Sequence, residues 1–211
     1  IRSLKEAFLR RIDADGVLLL PRLMTLGDLD EEELVLGGAV EAGLPPAIDP
    51  LRRKLLLARL VRASRPGLAW DQSVRLAAEL GRFLDQMQTE GAGFERLKSL
   101  VPEEFADHWG EVLAFLGLLT DLWPGILAEE TALDRALRRN RLILAQAEAW
   151  RTAPPPGPVV AAGSTGSIPA TAELLKTIAA LPQGAVVLPG LDLDLSLEAW
   201  EALEPSHPQF G

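Results

Sequence analysis

The chain between residues 158 and 190 changes its hydrophobic period twice, and this order restricts the fold more than any other feature of the sequence. The runs "PVVAAG" and "QGAVVLPG" are short and apolar, whereas "PATAELLKTIAAL" between them has apolar residues three and four apart. Short apolar runs are typical of buried strands, and the spacing between them is typical of a helix. A strand, a helix and a strand joined in this way form a right-handed unit with two parallel strands. We therefore predict an α/β fold with a parallel sheet covered on both faces, followed by a short helix in "SLEAWEAL".

The preceding part of the chain has a mainly helical pattern. Across residues 51–150 apolar residues recur three and four apart, and Asp49 and Pro50 are the residue types expected at an N-cap and at the first helical position. Because proline removes a backbone donor, we expect Pro124 to kink or break the helix that contains it. The run "PPPGP", Pro154–Pro158, predicts a stiff boundary after the helical region.

An earlier apolar run indicates how these parts are organised. "VLLL" at residues 17–20 predicts a first strand, which we assign to the same sheet, and "SLKEAFLRRID" at residues 3–13 predicts an amphipathic helix before it. On this basis residues 1–66 and 154–211 form an α/β domain. Residues 67–153 then form an all-α insertion between strands of its sheet.

The residue types that the chain lacks exclude several kinds of site. There is no cysteine and there are only two histidines, His108 and His207, so no Cys-based zinc site, iron–sulfur cluster, disulfide or thiol nucleophile can form. The longest apolar run, from Val112, is interrupted by Asp121 and Pro124 and is too short for a membrane span of roughly 20 residues. No signal peptide is found, so we expect a cytoplasmic protein with no membrane partner. Because the chain begins without Met and ends in a loop, we interpret it as part of a longer protein.

The turn "GSTGS" after the strand "PVVAAG" has the composition of an anion site. Its two glycines can adopt positive φ, and backbone N–H groups near a helix N-terminus favour a phosphate. The phosphate loop of nucleotide hydrolases requires G-x-x-x-x-G-K-[ST], however, and no lysine follows here. Two interpretations stay open: a strand-to-helix turn in which a serine helps to cap the helix, or an anion-binding loop. The candidate contacts are Gly163, Ser164, Thr165, Gly166 and Ser167.

Two basic runs stand out in a chain with a formal net charge of −9. That charge argues against general nucleic-acid binding but does not exclude local basic patches. In "LRRKLLLARLVRASR" three arginines share one face of the predicted helix, and "DRALRRNR" is the second run. Both runs have two interpretations, a solvated helix face or a surface that contacts phosphates. The candidate phosphate contacts are Arg52, Arg59, Arg62, Arg138, Arg139 and Arg141.

Two further polar features have alternative interpretations. Asp192 and Asp194 follow the second strand, where carboxylates could hold magnesium, but a polar turn explains them equally well. The run "LDQMQTEG", Leu84–Gly91, ends a predicted helix with side chains that could hydrogen-bond bases or be solvated. No pair of nucleophile and base can be assembled from this sequence, so a small-molecule α/β enzyme has little support.

Six segments, taken together and in order, resemble the N-terminal part of the AddB family in the form found in alphaproteobacteria. AddB proteins are the B subunits of the AddAB helicase–nuclease, which processes double-strand DNA breaks for recombinational repair. The resemblance extends from end to end of the chain, and "GSTGSIPAT" and "VVLPGLD" are its most specific parts. The segments are "LLLPRLMTLGDLDEEEL", "LPPAIDPLRRKLLLARLV", "FLDQMQTEG", "HWGEVLAFLGLLTDLWPGILAEE", "AAGSTGSIPATAELLKTIAALPQGAVVLPGLD" and "HPQFG".

The resemblance implies a superfamily 1 helicase-like domain, related to P-loop NTPases, with a helical insertion of the 1B type inside an α/β domain of the 1A type. In active helicases the strand corresponding to "PVVAAGST" ends in an acidic pair that binds magnesium and polarises water. Here the corresponding residues are Ala161, Ala162, Gly163 and Ser164. The resemblance therefore implies an inactivated motor site. Any phosphate that its turn contacts is expected to belong to the DNA backbone or to a structural anion, and not to a hydrolysed nucleotide.

The resemblance also implies partners and cofactors. The expected partners are the AddA motor subunit and DNA ends, and the expected role is non-catalytic DNA handling and scaffolding. The family's nuclease domain, with its magnesium and its iron–sulfur cluster, is expected beyond residue 211, so no cofactor is expected in this chain. The alternative is an ATP-binding helicase fragment whose phosphate loop precedes Ile1.

Overall fold

The computed structural model describes residues 2–10, 21–25, 43–92, 106–190 and 194–202. The chain divides into two compact units, residues 1–41 and 42–211. The described residues are mainly helical and contain a two-stranded parallel sheet. Their elements are α1 (Arg2–Leu9), α2 (Pro50–Ser64), α3 (Trp70–Thr89), α4 (Ala106–Glu129), α5 (Arg135–Thr152), β1 (Val159–Ala162), α6 (Pro169–Ala180), β2 (Gly184–Val187) and α7 (Leu197–Glu201).

The first unit contains α1, which confirms the helix predicted near the start of the chain. Leu4 and Phe8, one helical turn apart, are both exposed. The strand predicted at residues 17–20 lies outside the described residues.

The first helix of the second unit begins as its sequence predicts. The Asp49 carboxylate accepts a hydrogen bond from the Arg52 backbone N–H at 2.8 Å, and Pro50 occupies the first turn, where its missing N–H costs nothing. The segment before this helix is also fixed, because Ile48 donates to the Leu133 carbonyl and Leu133 donates to the Pro46 carbonyl, both at 2.9 Å. This bridge joins the start of α2 to the segment before α5.

Helices α2, α3 and α4 enclose the main hydrophobic core. α2 and α3 pack closely against each other, and α4 adds an indole and a leucine side chain. Full burial of one such side chain stabilises the fold by about 1.5–3 kcal/mol. The buried apolar residues of these helices include Leu57, Ala58, Val61, Ala77, Leu80, Leu84, Trp123 and Leu127.

We predicted that Pro124 kinks or breaks its helix. Helix α4 continues through Pro124, so the break is wrong, and the kink stays a prediction. An interior proline costs about 3 kcal/mol because it removes one hydrogen bond and crowds the preceding turn. The residues on either side compensate for this cost: Trp123 is 2% exposed and Leu127 is also buried, both in the main core. The free energy gained by burying these two side chains outweighs the cost of a proline inside the helix.

Helices α5 and α6 pack against each other and connect the helical part to the sheet. α5 also contacts α3, and α6 contacts both strands. An ion pair between Arg151 and Glu173 joins the end of α5 to α6 across the "PPPGP" segment. The buried side chains at this contact include Leu142, Ile143, Leu174, Leu175 and Ile178.

The sheet confirms the predicted order of strand, helix and parallel strand. Val159 is paired with Gly184, and the register continues to Ala162 paired with Val187. Helix α6 lies between the strands in sequence and begins at Pro169, as predicted. Short helix α7 confirms the helix predicted in "SLEAWEAL".

The prediction that both faces of the sheet are covered is wrong for the described residues. Ala161 is buried, but Val160 is 63% exposed and Val187 and Leu188 are also exposed. Side chains alternate between the two faces of a strand. The exposed Val160 and Val187 therefore lie on the face opposite the buried Ala161. This face presents apolar side chains to solvent.

The predicted division into an α/β domain and a helical insertion stays a prediction. The structure describes residues 67–92 and 106–153 of the predicted insertion. Their regular secondary structure is helical, apart from the isolated bridge at Leu133. The predicted boundary at residues 66 and 67 lies in the short connection between α2 and α3, two helices that pack together.

Candidate functional site

The "GSTGS" turn connects β1 to α6 with glycine where the backbone requires it. Gly163 and Gly166 have φ values of 79° and 71°, which confirms the predicted positive φ at both positions. One interpretation of the turn had a serine help to cap α6, but the N-cap is Ile168, which makes no side-chain capping bond. The hydroxyl of Thr165 instead donates to the Ser167 hydroxyl at 3.4 Å.

Hydrogen bonds inside this turn use backbone donors that an anion would need. The Gly163 N–H donates to the Val187 carbonyl at 3.0 Å, and the Gly166 N–H donates to the Ser164 hydroxyl at 3.3 Å. These bonds favour the interpretation as a strand-to-helix turn. The anion-binding role of residues 163–167 stays a prediction.

Three of the candidate arginines lie together on one side of α2. Arg52, Arg59 and Arg62 line an open groove of about 640 Å³. Apolar side chains between α2 and α4 contribute to its lining, together with an exposed tryptophan and two carboxylates. These residues are Leu56, Leu60, Ile126, Trp70, Glu129 and Glu130.

The three arginines of the groove differ in the contacts that they make. Arg52 donates from Nε and Nη2 to the two carboxylate oxygens of Glu130, at 3.0 and 2.7 Å. This bidentate hydrogen bond, together with the opposite charge, raises the pKa of Arg52 and lowers the pKa of Glu130. The Arg62 guanidinium lies 4.7 Å from the centroid of the Trp70 ring. Among the described residues, neither Arg59 nor Arg62 forms an ion pair.

The second group of candidate arginines does not form one exposed surface. Arg138 is buried, and its Nε donates to the Pro45 carbonyl at 2.9 Å. Arg139 is half-buried, and Arg141 is exposed. Arg138 therefore fixes the segment that precedes α2, and only Arg141 projects freely from this turn of α5.

The most extensive polar site in the described residues was not predicted from the sequence. Asp134, at 0% exposure, accepts hydrogen bonds from Arg53 Nε at 2.6 Å, Gln88 Nε2 at 2.6 Å and Trp123 Nε1 at 2.8 Å. Arg53 also contacts Asp85, with Nη1 and Nη2 each within 3.0 Å of a carboxylate oxygen. A single buried carboxylate thus connects α2, α3 and α4 at the start of α5.

This network assigns internal partners to part of the polar run "LDQMQTEG". Asp85 and Gln88 bond to Arg53 and Asp134, and the Asn140 amide donates to the Gln88 carbonyl at 2.8 Å. These two side chains are therefore held within the helical fold. The sequence contains one indication of this arrangement, since Arg53 lies 100° around the helix from Arg52 and so points toward the leucine-rich side.

Within the described part of the chain, no group of three or more His, Cys, Asp or Glu side chains is arranged to hold a metal ion. Asp192 lies outside the described residues, so the predicted pair with Asp194 is untested. The helices that the structure describes are all too short or too polar to cross a membrane.

No protein-family model, no curated protein and no solved structure matches this chain. The functional interpretation therefore depends on the residues of the chain and on the resemblance of its segments.

Proposed function

We propose that this chain is the N-terminal, inactivated helicase-like region of an AddB-family protein, which handles and scaffolds DNA ends with the AddA subunit in the cytoplasm. The resemblance of segments along the whole chain supports this assignment. One observation carries the non-catalytic part of the proposal: β1 ends in a turn that has no carboxylate and no lysine.

Phosphoryl transfer depends on cations that neutralise charge on the phosphates. In P-loop enzymes a lysine contacts the terminal phosphates, and an acidic residue at a strand end helps to hold magnesium. Residues 158–169 contain no Asp, Glu, Lys or Arg. Two backbone N–H groups of the turn are also used internally, by the Val187 carbonyl and the Ser164 hydroxyl. The turn therefore lacks the groups that the chemical step requires, and a structural role fits it better.

The groove beside α2 is the surface that suits a DNA backbone best. Arg59 and Arg62 lie one helical turn apart, which is about 4.5 Å along the axis. Neither has a carboxylate partner among the described residues, so both charges are available to phosphates. The chain as a whole is acidic, so we expect weak binding that depends on this local surface.

The proposal is tested by the salt dependence of binding to a duplex DNA end. The variant Arg59→Ala/Arg62→Ala removes two phosphate contacts, so the slope of log affinity against log salt concentration should fall by about 1.8. The matched control is Arg75→Ala/Arg82→Ala, which removes two exposed charges from α3 outside the groove. Both variants are titrated by fluorescence anisotropy as the chain alone and in complex with AddA.

The control should bind with the slope of the original protein. A groove variant that is folded and keeps the original slope and affinity would refute the proposed DNA contact. Loss of slope in both variants would show that total charge, and not the groove, determines binding.

A further inference from the structure

The groove beside α2 has an apolar floor that the proposed DNA contact does not use. Leu56, Leu60 and Ala63 follow one another at helical spacing, so they form one stripe along α2. Ile126 of α4 lines the groove with them. Leu56 and Ile126 pack against the main core, yet both are only half-buried, and Ala63 is exposed. Part of this floor is therefore open to solvent.

The two ends of the groove differ in charge. At one end Arg52 and Glu130 join α2 to α4 through two hydrogen bonds, of 3.0 and 2.7 Å, and neutralise each other. About 10–15 Å further along α2, Arg59 and Arg62 have no ion pair among the described residues. The Arg62 guanidinium lies over the Trp70 ring. This contact restricts the arginine side chain, so less conformational entropy is lost when its N–H groups bind an anion.

We propose that the groove also binds a short acidic peptide of a partner protein, with an apolar side chain on the floor and carboxylates on Arg59 and Arg62. Protein interfaces commonly combine a buried apolar contact with charges at the rim, and complementary charge selects the partner. The inference goes beyond the proposed function and does not depend on it, because the DNA contact needs the arginines alone. Since both ligands use the same two arginines, the peptide and DNA should exclude each other.

The composition of the groove favours a peptide as this second ligand. The backbone of a duplex presents phosphates and sugars, which gain little from contact with Leu56, Leu60 and Ile126. Its negative charge is also continuous, so phosphates beyond the arginine end would approach the Glu129 carboxylate. A peptide can confine its carboxylates to the arginine end and cover the floor with an apolar side chain.

Two labelled peptides of about eight residues and equal charge test the inference. One repeats Glu-Glu-Leu-Leu and the other repeats Glu-Glu-Ser-Ser, so they differ only in apolar side chains. Fluorescence anisotropy should show that the leucine peptide binds about 5-fold tighter or more, because burial of a leucine side chain favours binding. The leucine peptide should also displace a duplex DNA end from the protein.

The floor is tested by a substitution that leaves the charge unchanged. Leu56→Gln should remove the preference for the leucine peptide and keep the affinity for the duplex. The matched control is Leu55→Gln, the same change at the neighbouring residue, which is 45% exposed and lies outside the groove lining. This control should keep the preference.

A second floor variant guards against an effect on folding. Leu56 also packs on the core, whereas Ala63 is exposed, so Ala63→Gln should lower the preference in a protein whose circular dichroism is unchanged. The variant Arg59→Ala/Arg62→Ala should weaken binding of both peptides by about 2-fold to 30-fold, as expected for the loss of two exposed ion pairs.

Several outcomes would overturn the inference. These are equal affinity for the two peptides, no binding of either, a preference that persists in both folded floor variants, and a leucine peptide that binds without displacing the duplex. Dimerisation of the protein that Leu56→Gln abolishes would identify a second copy as the occupant and would overturn it too. The duplex tests the proposed function separately. If duplex binding still depends on Arg59 and Arg62 while the peptide fails, only the peptide site is wrong; if the peptide binds and the duplex does not, only the DNA contact is wrong.

Discussion

Replacing Asp134 with alanine should destabilise the helical part of the protein more than any other single loss of a carboxylate among the described residues. Asp134 is the one buried acidic side chain there, and three side chains donate to it. The donors come from three helices: Arg53 on α2, Gln88 on α3 and Trp123 on α4. Removal of the carboxylate therefore affects every helix that surrounds the main core.

The expected loss of unfolding free energy in Asp134→Ala follows from the hydrogen-bond acceptor that each donor loses. Removing one partner of a buried ion pair costs about 3–5 kcal/mol. The Arg53 side chain is only 14% exposed but keeps Asp85 as a second partner, so the lower end of this range applies. The buried indole N–H of Trp123 loses its acceptor, which adds about 1–3 kcal/mol. We expect a loss of about 4 kcal/mol for Asp134→Ala, against a typical total of about 5–15 kcal/mol.

The assay is urea unfolding followed by circular dichroism and by tryptophan fluorescence, with the free energy of unfolding extrapolated to water. The matched control is Asp85→Ala, which removes the other carboxylate next to Arg53. The Asp85 side chain is 43% exposed, so its loss should cost less than about 1 kcal/mol. If Asp134→Ala lowers the free energy of unfolding by less than about 1 kcal/mol with an unchanged m-value, the reasoning about the buried network is wrong.

Three other predictions concern the sheet, the groove and the turn. A Cβ at Gly184 would lie 1.7 Å from the Ile178 carbonyl oxygen, so Gly184→Ala should lower the unfolding free energy by about 3 kcal/mol or more in the same urea assay. The control is Gly157→Ala, where an added Cβ has no neighbouring atom within 4 Å and should have little effect. Because Arg52 lowers the pKa of Glu130, the pair stabilises the protein fully above the ordinary pKa of a glutamate, about 4.3, and this contribution is lost as the pH falls through the lowered value. The difference in melting temperature between the original protein and Arg52→Gln should therefore disappear in acid, and a difference that persists there would contradict the role of the pair. Finally, the chain should release no phosphate from ATP above the rate without protein, with or without DNA. Turnover above that rate would contradict the proposal of an inactivated site.

Elements with strong local signals could be predicted from the sequence. Asp49 and Pro50 mark the start of α2 by their residue types alone, and the structure has the expected capping bond. The two strands and α6 follow from a change of period between Val159 and Val187. In both cases the deciding interactions lie within a few residues, where the sequence displays them directly.

Features that depend on distant contacts could not be predicted. The continuation of α4 through Pro124 depends on the burial of Trp123 in a core formed by other helices. Likewise Arg52 and Arg53 are adjacent in sequence, but Arg52 pairs with a surface glutamate and Arg53 with a buried aspartate 81 residues away. Neither outcome is determined by local composition.

The candidate site could be predicted only in part, because helical spacing is a local signal whereas burial depends on distant contacts. Helical spacing puts Arg52, Arg59 and Arg62 on one face of α2, and in the structure all three line one groove. The spacing of a basic run does not show which of its arginines is buried, and Arg138 forms an internal bond with the Pro45 carbonyl. The exposure of Trp70 also depends on how α2 and α3 pack, which residue types alone do not specify.

The uncovered face of the sheet has a consequence for the behaviour of the protein in concentrated solution. Val160 and Val187 are exposed on the same face of the sheet, and the two strands have no further neighbour among the described residues. Exposed apolar strands with free edges act as templates for pairing with other chains. The chain on its own should therefore self-associate reversibly as its concentration rises. Natural sheet proteins prevent such association with an outward-facing lysine, and Val160 is the position where a single charge would interrupt the apolar surface.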